Sequence, residues 1–223
     1  MGQDLKLKAS DGFELGAYRA DPAGAPKGAI VVIQEIFGVN HHIRSVCDRL
    51  AQEGYVAIAP SIFDRIEPNF QSGYSPDEVA NARKFVANPD YPAMLRDAQA
   101  AIDAVKSVGP VGIIGFCLGG SIAYSAATKL TGLSAAVGYY GGAIVRFADD
   151  KPAVPTQLHF GEKDAGIPLS DVETIKSKRP EVEVFIYPGA QHGFHCDERA
   201  SYDKTSADIA WPRSLEFFGK HLR

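Results

Sequence analysis

The first part of the chain changes from alternating to continuous hydrophobic patterning. Residues 5–9 and 13–20 alternate apolar and polar positions on either side of Asp11-Gly12, a turn dipeptide, which predicts an antiparallel hairpin. Residues 28–33 are apolar throughout, a pattern typical of a parallel strand that is buried on both faces. The sequence therefore predicts a hairpin followed by a region of buried parallel strands.

The rest of the chain alternates between short apolar segments and segments with helical spacing. Further strands are predicted at residues 55–59, 111–114, 135–140, 156–160 and 182–187. Helices are predicted at residues 41–53, 75–86, 91–106, 121–130, 169–177 and 204–221, with Pro212 expected to kink the last one. Residues 61–74 lack periodicity and are expected to cross over the top of the sheet. This order predicts a single α/β domain over residues 1–223, with a mostly parallel sheet of about seven or eight strands and helices on both faces.

Composition and charge limit the classes of partner. The 223 residues are 45% hydrophobic and 22% charged, as in ordinary globular domains. A formal net charge of −4 and the lack of a basic run argue against nucleic-acid and anionic-membrane partners. Residues 107–128 carry no charge over a length that could span a bilayer. Five glycines and a proline divide this run, so we expect it to be buried core.

The cysteines give no sign of a disulfide framework or of zinc. Cys47, Cys117 and Cys196 are an odd set without metal-type spacing. With no apolar leader at residues 1–6, these features favour a reduced, cytoplasmic location. We expect no metal, no cofactor, a small-molecule substrate, and a chain that is a monomer or a weak dimer.

The strongest chemical signal is the run Gly-Phe-Cys-Leu-Gly-Gly at residues 115–120, directly after an apolar strand. A nucleophile with small residues two before and two after it is typical of the strand-to-helix turn of α/β-hydrolases. This turn would expose the Cys117 thiol above the sheet, with the Leu118 amide at a helix N-terminus. A glycine-rich turn that contains an inert buried cysteine explains the run alone equally well.

A histidine and an acid follow this cysteine in the order that α/β-hydrolases use. Asp164 and His192 each come just after a predicted strand, so both would lie at the carboxyl edge of the sheet. His192 is the candidate general base, because an imidazole titrates near neutral pH. Asp164 would accept its N–H and fix the tautomer. Glu162, Asp149 and Asp150 are weaker substitutes for this acid.

Glu35 ends the predicted strand at residues 28–33, inside the run Gln-Glu-Ile-Phe-Gly at residues 34–38. It should therefore lie at the same sheet edge as Cys117 and be partly buried. An unpaired buried carboxylate is costly, so Glu35 should be protonated or matched to a donor. A surface glutamate with no task is the alternative reading of this residue alone.

Taken together, residues 34–38, 115–120, 138–141, 161–164 and 191–194 resemble the dienelactone hydrolase (carboxymethylenebutenolidase) family over nearly the whole chain. The resemblance implies an enzyme without metal or cofactor that opens an enol-lactone in the degradation of catechols. It also implies that Cys117 attacks, that the amides of Leu118 and Ile36 bind the oxyanion, and that Asp164 and His192 assist turnover. Glu35 would hold the neutral resting thiol and take its proton when substrate binds.

One departure from this family concerns the substrate. The family holds a substrate carboxylate with arginines, one of them four residues after the catalytic histidine, and here that position is Cys196. The residues assigned to substrate binding are Phe37, Arg83, Tyr140, Arg199 and Tyr202. For Arg83 and Arg199, solvated surface charge is an equally good reading. The reaction class is therefore better defined than the substrate.

Two other functions remain open at this stage. One is a broader carboxylesterase or thioesterase for small soluble acyl groups, which the loss of the arginine at Cys196 favours. The other is a non-catalytic α/β-hydrolase scaffold that serves in binding or as a thiol sensor, with an easily alkylated Cys117 and no turnover.

Overall fold

A computed structural model describes residues 2–223 as an eight-stranded sheet with helices on both faces. The strands are β1 (Gln3–Lys8), β2 (Glu14–Ala20), β3 (Ala29–Ile33), β4 (Val56–Pro60), β5 (Val111–Phe116), β6 (Leu133–Tyr139), β7 (Thr156–Gly161) and β8 (Glu183–Tyr187). The strand order is β1-β2-β4-β3-β5-β6-β7-β8. β2 pairs antiparallel with β1 and β4, and every other pairing is parallel. The predicted fold class is confirmed.

Seven α-helices lie within the described residues 2–223, and the last of them follows the final strand. They are α1 (His41–Gln52), α2 (Pro76–Lys84), α3 (Tyr91–Val105), α4 (Leu118–Lys129), α5 (Ile144–Phe147), α6 (Leu169–Lys178) and α7 (Lys204–His221). No helix in this part of the chain is long and apolar enough to cross a membrane. The uncharged run at residues 107–128 instead forms β5, the turn and most of α4.

The continuous apolar pattern of β3 arises because both of its faces are covered. Ile30 and Val32 point into one cluster of buried residues, which α1, α6 and α7 complete. Val31 and Ile33 point into a second cluster, formed with α3 and α4. Each such side chain contributes roughly 1.5–3 kcal/mol when it is fully buried. The strand is therefore fixed from both sides, and its carboxyl end is a rigid base for the residues that follow.

Capping interactions fix two helices whose ends lie near the candidate site. The Asn40 side chain accepts a hydrogen bond from the Ile43 amide, which starts α1 immediately after the run at residues 34–38. The Asp203 carboxylate accepts from the Ser206 amide at 2.7 Å and starts α7 at the end of the loop that carries His192. Because these caps satisfy otherwise unpaired amides, they hold both flanking loops in place.

The structure differs from the sequence-based expectations mainly in short elements. α5 and a 3₁₀ turn at Ile62–Arg65 lie in segments for which no helix was predicted, since four residues are too few to show periodicity. α4 begins at Leu118, three residues earlier than expected, because the helix starts directly at the apex of the turn. Pro212 lies inside α7, which runs without interruption from Lys204 to His221, and the kink expected there stays a prediction.

The turn between β5 and α4 depends on backbone contacts that only glycine permits. A Cβ atom on Gly115 would lie 1.9 Å from the carbonyl oxygen of Gly119. A Cβ atom on Gly119 would lie 2.3 Å from the carbonyl oxygen of Ile33, at the end of β3. Both distances are far inside van der Waals contact with backbone atoms that cannot rotate away. The two glycines therefore set how closely α4 approaches β3 and β5.

We predict that Gly115→Ala lowers the free energy of unfolding by more than about 3 kcal/mol, because the helix must move away from the strand to admit the methyl group. Gly219→Ala is the matched control, since an added Cβ there would meet no described atom within 4 Å. In a helix this control should gain up to about 1 kcal/mol. Urea denaturation of the two variants checks the difference, and equal stabilities would contradict the steric argument.

Candidate active site

Cys117 occupies the apex of the turn between β5 and α4. Its backbone has φ 55° and ψ −115°, which is strained for a residue with a side chain. Its amide donates to the carbonyl oxygen of Tyr139 at 3.0 Å, which ties the apex to the end of β6. The side chain is partly exposed, unlike those of Cys47 and Cys196, which are buried. The strained backbone at this position presents the Cys117 thiol at the edge of the sheet.

His192 and Asp164 form a hydrogen-bonded chain with this thiol. His192 Nε2 lies 3.1 Å from Cys117 Sγ, and His192 Nδ1 lies 2.7 Å from Asp164 Oδ2. The other oxygen of Asp164 accepts from the Gly166 amide at 2.8 Å, so both carboxylate oxygens of this buried side chain have partners. The Ser201 hydroxyl donates to the His192 carbonyl oxygen and holds the loop. The structure therefore brings the three residues together.

The charges around His192 favour an imidazolium. Burial lowers the pKa of this imidazole, but the Cys117 sulfur and the Asp164 carboxylate outweigh burial and raise the pKa to about 10. An imidazolium at this position can donate from Nε2 to the Cys117 sulfur and from Nδ1 to Asp164.

Glu35 is buried, 1% exposed, and its carboxylate is paired. Oε1 accepts from the Arg199 guanidinium at 2.9 Å, and Oε2 lies 3.5 Å from the Tyr74 hydroxyl. The expectation that Glu35 is buried and matched to a donor is confirmed. The resemblance also implied a resting thiol turned toward Glu35, but Cys117 Sγ contacts His192 in this structure.

A cleft of about 390 Å³ opens over the thiol. Its lining residues from the candidate site are Ile36, Cys117, Leu118 and His192. Its other walls are formed by Val86, Ala87, Pro89, Tyr91, Ser121, Gly142, Ala143, Arg146, Gly166 and Ile167. The cleft is therefore mostly apolar, with polar groups at the thiol and at Arg146. This combination is typical of a site for a small organic molecule.

The predicted oxyanion donors, Leu118 and Ile36, face this cleft from two elements. Leu118 is the first residue of α4, and the first amides of a helix have no partner within the helix. Ile36 follows β3, which the close approach of Gly119 holds against α4. A carbonyl bound next to Cys117 would therefore meet a helix N-terminus, which favours negative charge.

The five residues assigned to substrate binding are not among those that line the cleft. Phe37 and Tyr140 are buried, at 1% and 0% exposure, and support the loops from beneath. Arg83 is exposed on α2, and Tyr202 lines a separate pocket beside α7. Arg199 is engaged in the ion pair described above. These five side chains therefore pack in the interior, compensate a charge or contact solvent, and other segments form the wall of the cleft.

Sequence reasoning missed Arg146 and Tyr91 as cleft residues. Among the described residues that line the cleft, Arg146 alone carries a permanent positive charge, and it is exposed at the end of α5. Tyr91 packs edge-on against Phe147, with ring centroids 5.0 Å apart. The position of residues 140–146 directly after β6 could have indicated that Arg146 lies near the site. In this architecture the loops that follow parallel strands form the edge of the site.

Glu35 also belongs to a group of side chains that could hold a metal ion. Single ligand atoms of Glu35, His42 and Cys196 lie within 4.8 Å of one another, and all three residues are buried. This is the only mixed cluster of that kind in the described residues 2–223. It does not include the Cys117 thiol.

A mostly parallel eight-stranded sheet with a cysteine, an aspartate and a histidine at its carboxyl edge has the architecture of an α/β-hydrolase. Comparison with protein families narrows this class, because the model of the dienelactone hydrolase family matches residues 15–222. The chain belongs to the dienelactone hydrolase family, and it is a hydrolase.

Individual relatives agree with this assignment. A Synechocystis protein provisionally named carboxymethylenebutenolidase is 38% identical, over 95% of this chain and 94% of its own length. The carboxymethylenebutenolidase of Pseudomonas putida is 32% identical, over 96% of this chain and 95% of its own. A crystal structure from Klebsiella pneumoniae, provisionally described as a dienelactone hydrolase, superposes with a TM-score of 0.86 at 33% identity. That superposition covers 98% of this chain and 99% of that one.

We predict that the ionisation of His192 depends on both of its neighbours. In the unmodified protein the imidazole should stay protonated up to about pH 10. Cys117→Ala removes the sulfur charge and Asp164→Asn removes the carboxylate charge, so each should lower the pKa of His192 by at least about one unit. NMR titration of ¹⁵N-labelled histidine measures this. A pKa of His192 that is unchanged in Cys117→Ala would contradict the contribution of the sulfur.

Proposed function

We propose that this protein hydrolyses a lactone or small ester by nucleophilic attack of Cys117, and that an enol-lactone of the dienelactone type is its substrate. The observation that carries this proposal is the 3.1 Å contact between Cys117 Sγ and His192 Nε2 at the floor of the cleft. The family and the Pseudomonas putida relative support the reaction class.

The proposed reaction has two stages. The Cys117 thiolate attacks the carbonyl carbon, and the oxygen that gains the charge is held by the amides of Ile36 and Leu118. The tetrahedral intermediate then collapses to a thioester, and the ring C–O bond breaks as His192 returns the proton to the leaving oxygen. Once the sulfur is acylated, His192 loses its anionic partner, becomes a better base, and deprotonates water. Attack of this water releases the carboxylate and regenerates the thiolate.

Glu35 has a conditional role in this proposal. Taking the thiol proton, as the resemblance implies, would require its carboxylate to leave the Arg199 guanidinium first. Because Glu35 is buried, such a move needs another donor or another anion to replace the lost pairing. A substrate anion that attracts Arg199 would meet that need. In its absence, His192 is the group placed to receive the proton.

Arg146 supports a substrate that carries a carboxylate. The arginine that the family places four residues after the histidine is replaced by Cys196, so a different cation is required at the cleft. Arg146 lines the cleft together with Cys117, and its planar guanidinium can hold a carboxylate with two hydrogen bonds. We propose that Arg146 binds the acid group of the substrate while Cys117 attacks the carbonyl.

The alternative within hydrolases is a carboxylesterase or thioesterase for small neutral acyl groups. It is favoured by the apolar cleft wall, including Val86 and Ile167, and by the missing family arginine at Cys196. A non-catalytic thiol-sensor scaffold has weaker support, because a sensor does not need unpartnered amides from a helix N-terminus aimed at the same cleft.

The first experiment compares hydrolysis of dienelactone with that of a neutral short-chain ester. We expect the unmodified protein to open dienelactone faster and Cys117→Ala to lose at least about 1,000-fold in kcat. Cys47→Ala is the matched control, because it removes a thiol that is buried in α1, away from the cleft. Faster cleavage of the neutral ester would favour the esterase alternative. Activity retained by Cys117→Ala would contradict the nucleophile assignment.

A second experiment tests the carboxylate anchor. Arg146→Ala should raise KM for dienelactone by about tenfold, as expected for the loss of a charge-assisted hydrogen bond, and leave KM for a neutral ester unchanged. Arg83→Ala removes an equally exposed arginine that does not line the cleft and should change neither value. Equal effects of Arg146→Ala on both substrates would show a structural role instead.

A further inference from the structure

The cluster of Glu35, His42 and Cys196 contains the donor types that bind zinc. Carboxylate, imidazole and thiolate are its usual protein ligands, and three of them with one open position form a common coordination set. The three residues are 1%, 2% and 0% exposed. Side chains of these kinds rarely converge in a protein interior unless hydrogen bonds or a bound ion compensate their polarity.

The hydrogen bonds of His42 are incomplete. Its Nε2 atom is buried and finds no partner within the described residues 2–223. Its Nδ1 atom lies 3.6 Å from Oδ1 of Asp197, whose side chain is largely exposed. Metal-binding histidines usually direct the second ring nitrogen to a carboxylate, which fixes the tautomer and leaves the first nitrogen as the ligand. In His42 the carboxylate of Asp197 lies beside Nδ1 but beyond hydrogen-bond distance, and Nε2 is the buried nitrogen without a partner in the described residues.

The other two residues also offer a free ligand atom. Arg199 occupies Oε1 of Glu35, which leaves Oε2 with only a 3.5 Å contact to Tyr74. Cys196 Sγ lies 3.3 Å from the same tyrosine hydroxyl. If the thiol loses its proton, this hydroxyl can donate to the thiolate and stabilise it. Tyr74 is thus placed to support a metal-bound form of the site without being a ligand.

The distances suit a zinc-sized ion after a small contraction. Bonds of 2.0–2.3 Å in a tetrahedron place ligand atoms about 3.3–3.8 Å apart. The ligand atoms here lie within 4.8 Å of one another, so they need to approach by up to about 1.5 Å. Side-chain rotation of Cys196 and Glu35 can supply this movement. The cluster is therefore nearly preformed.

A pocket beside α7 lies close to the cluster. This pocket of about 210 Å³ is lined by His195 and Asp197, and the His195 ring stands next to that of His42, with ring centroids 6.3 Å apart. Asp208 and Arg49 also line the pocket, so its walls carry both signs of charge.

We propose that the protein binds one divalent zinc-class cation through Glu35, His42 and Cys196, at a site separate from Cys117. Binding replaces the thiol proton of Cys196, which is released to solvent, and water completes the coordination.

The test measures metal binding in the Cys117→Ala protein, so that the catalytic thiol cannot be the ligand. Titration with Co²⁺ should give a thiolate-to-metal charge-transfer band that saturates at one equivalent, and Zn²⁺ should displace it. Adding Cys196→Ser should abolish the band and weaken Zn²⁺ binding by at least about tenfold. Adding Cys47→Ala instead, as the matched control, should change neither result.

A further variant guards against a folding defect in Cys196→Ser. His42→Asn, also in the Cys117→Ala background, keeps the thiol, so it should retain a charge-transfer band but bind Co²⁺ at least about tenfold more weakly. Circular dichroism verifies that each variant is folded. No band in the Cys117→Ala protein, or a band that survives Cys196→Ser, would overturn the proposal. None of these readouts depends on hydrolytic activity, so the proposed reaction and the metal site can fail independently.

Discussion

The rest of the structure depends on a contact between backbones at the turn that carries Cys117. Gly119 lies against the end of β3, and Gly115 lies against Gly119, with no room for a side chain at either position. This contact places the start of α4 directly beside the segment that follows β3. As a result, Cys117, Leu118 at the start of α4 and Ile36 line one cleft. A looser turn would separate these three residues.

A second constraint is that each buried carboxylate needs its own cationic or donor partner. Asp164 has His192 and the Gly166 amide, while Glu35 has Arg199. Both cationic partners come from the loop between β8 and α7, so this one loop neutralises charges that arise from two distant strands. This loop conformation requires glycine at position 193. The φ angle of Gly193 is 78°, and the Arg199 guanidinium fills the space that a Cβ atom would occupy.

The fold predicted from the sequence is confirmed, and the structure brings Cys117, Asp164 and His192 together, because the signals for both are encoded locally. The periodicity of hydrophobic residues and the turn residues predict the strands and helices, and the flanking glycines single out Cys117. The cleft wall was not predicted, because Arg146 and Tyr91 belong to segments whose spacing carries no chemical signature. The metal-type cluster was missed for the same reason, since Glu35 and Cys196 are far apart in the chain and only the sheet order brings them together. Arg199 looked like solvated charge until its partner was known.

The residues of the site lie on separate loops, one after each of several strands, and this arrangement has a consequence for substitutions. Mutation can alter α5, which carries Arg146, without disturbing the glycine contacts that hold the nucleophile. The wall of the cleft and the turn that presents the thiol are therefore built by separate parts of the chain, so a substitution in one need not alter the backbone of the other.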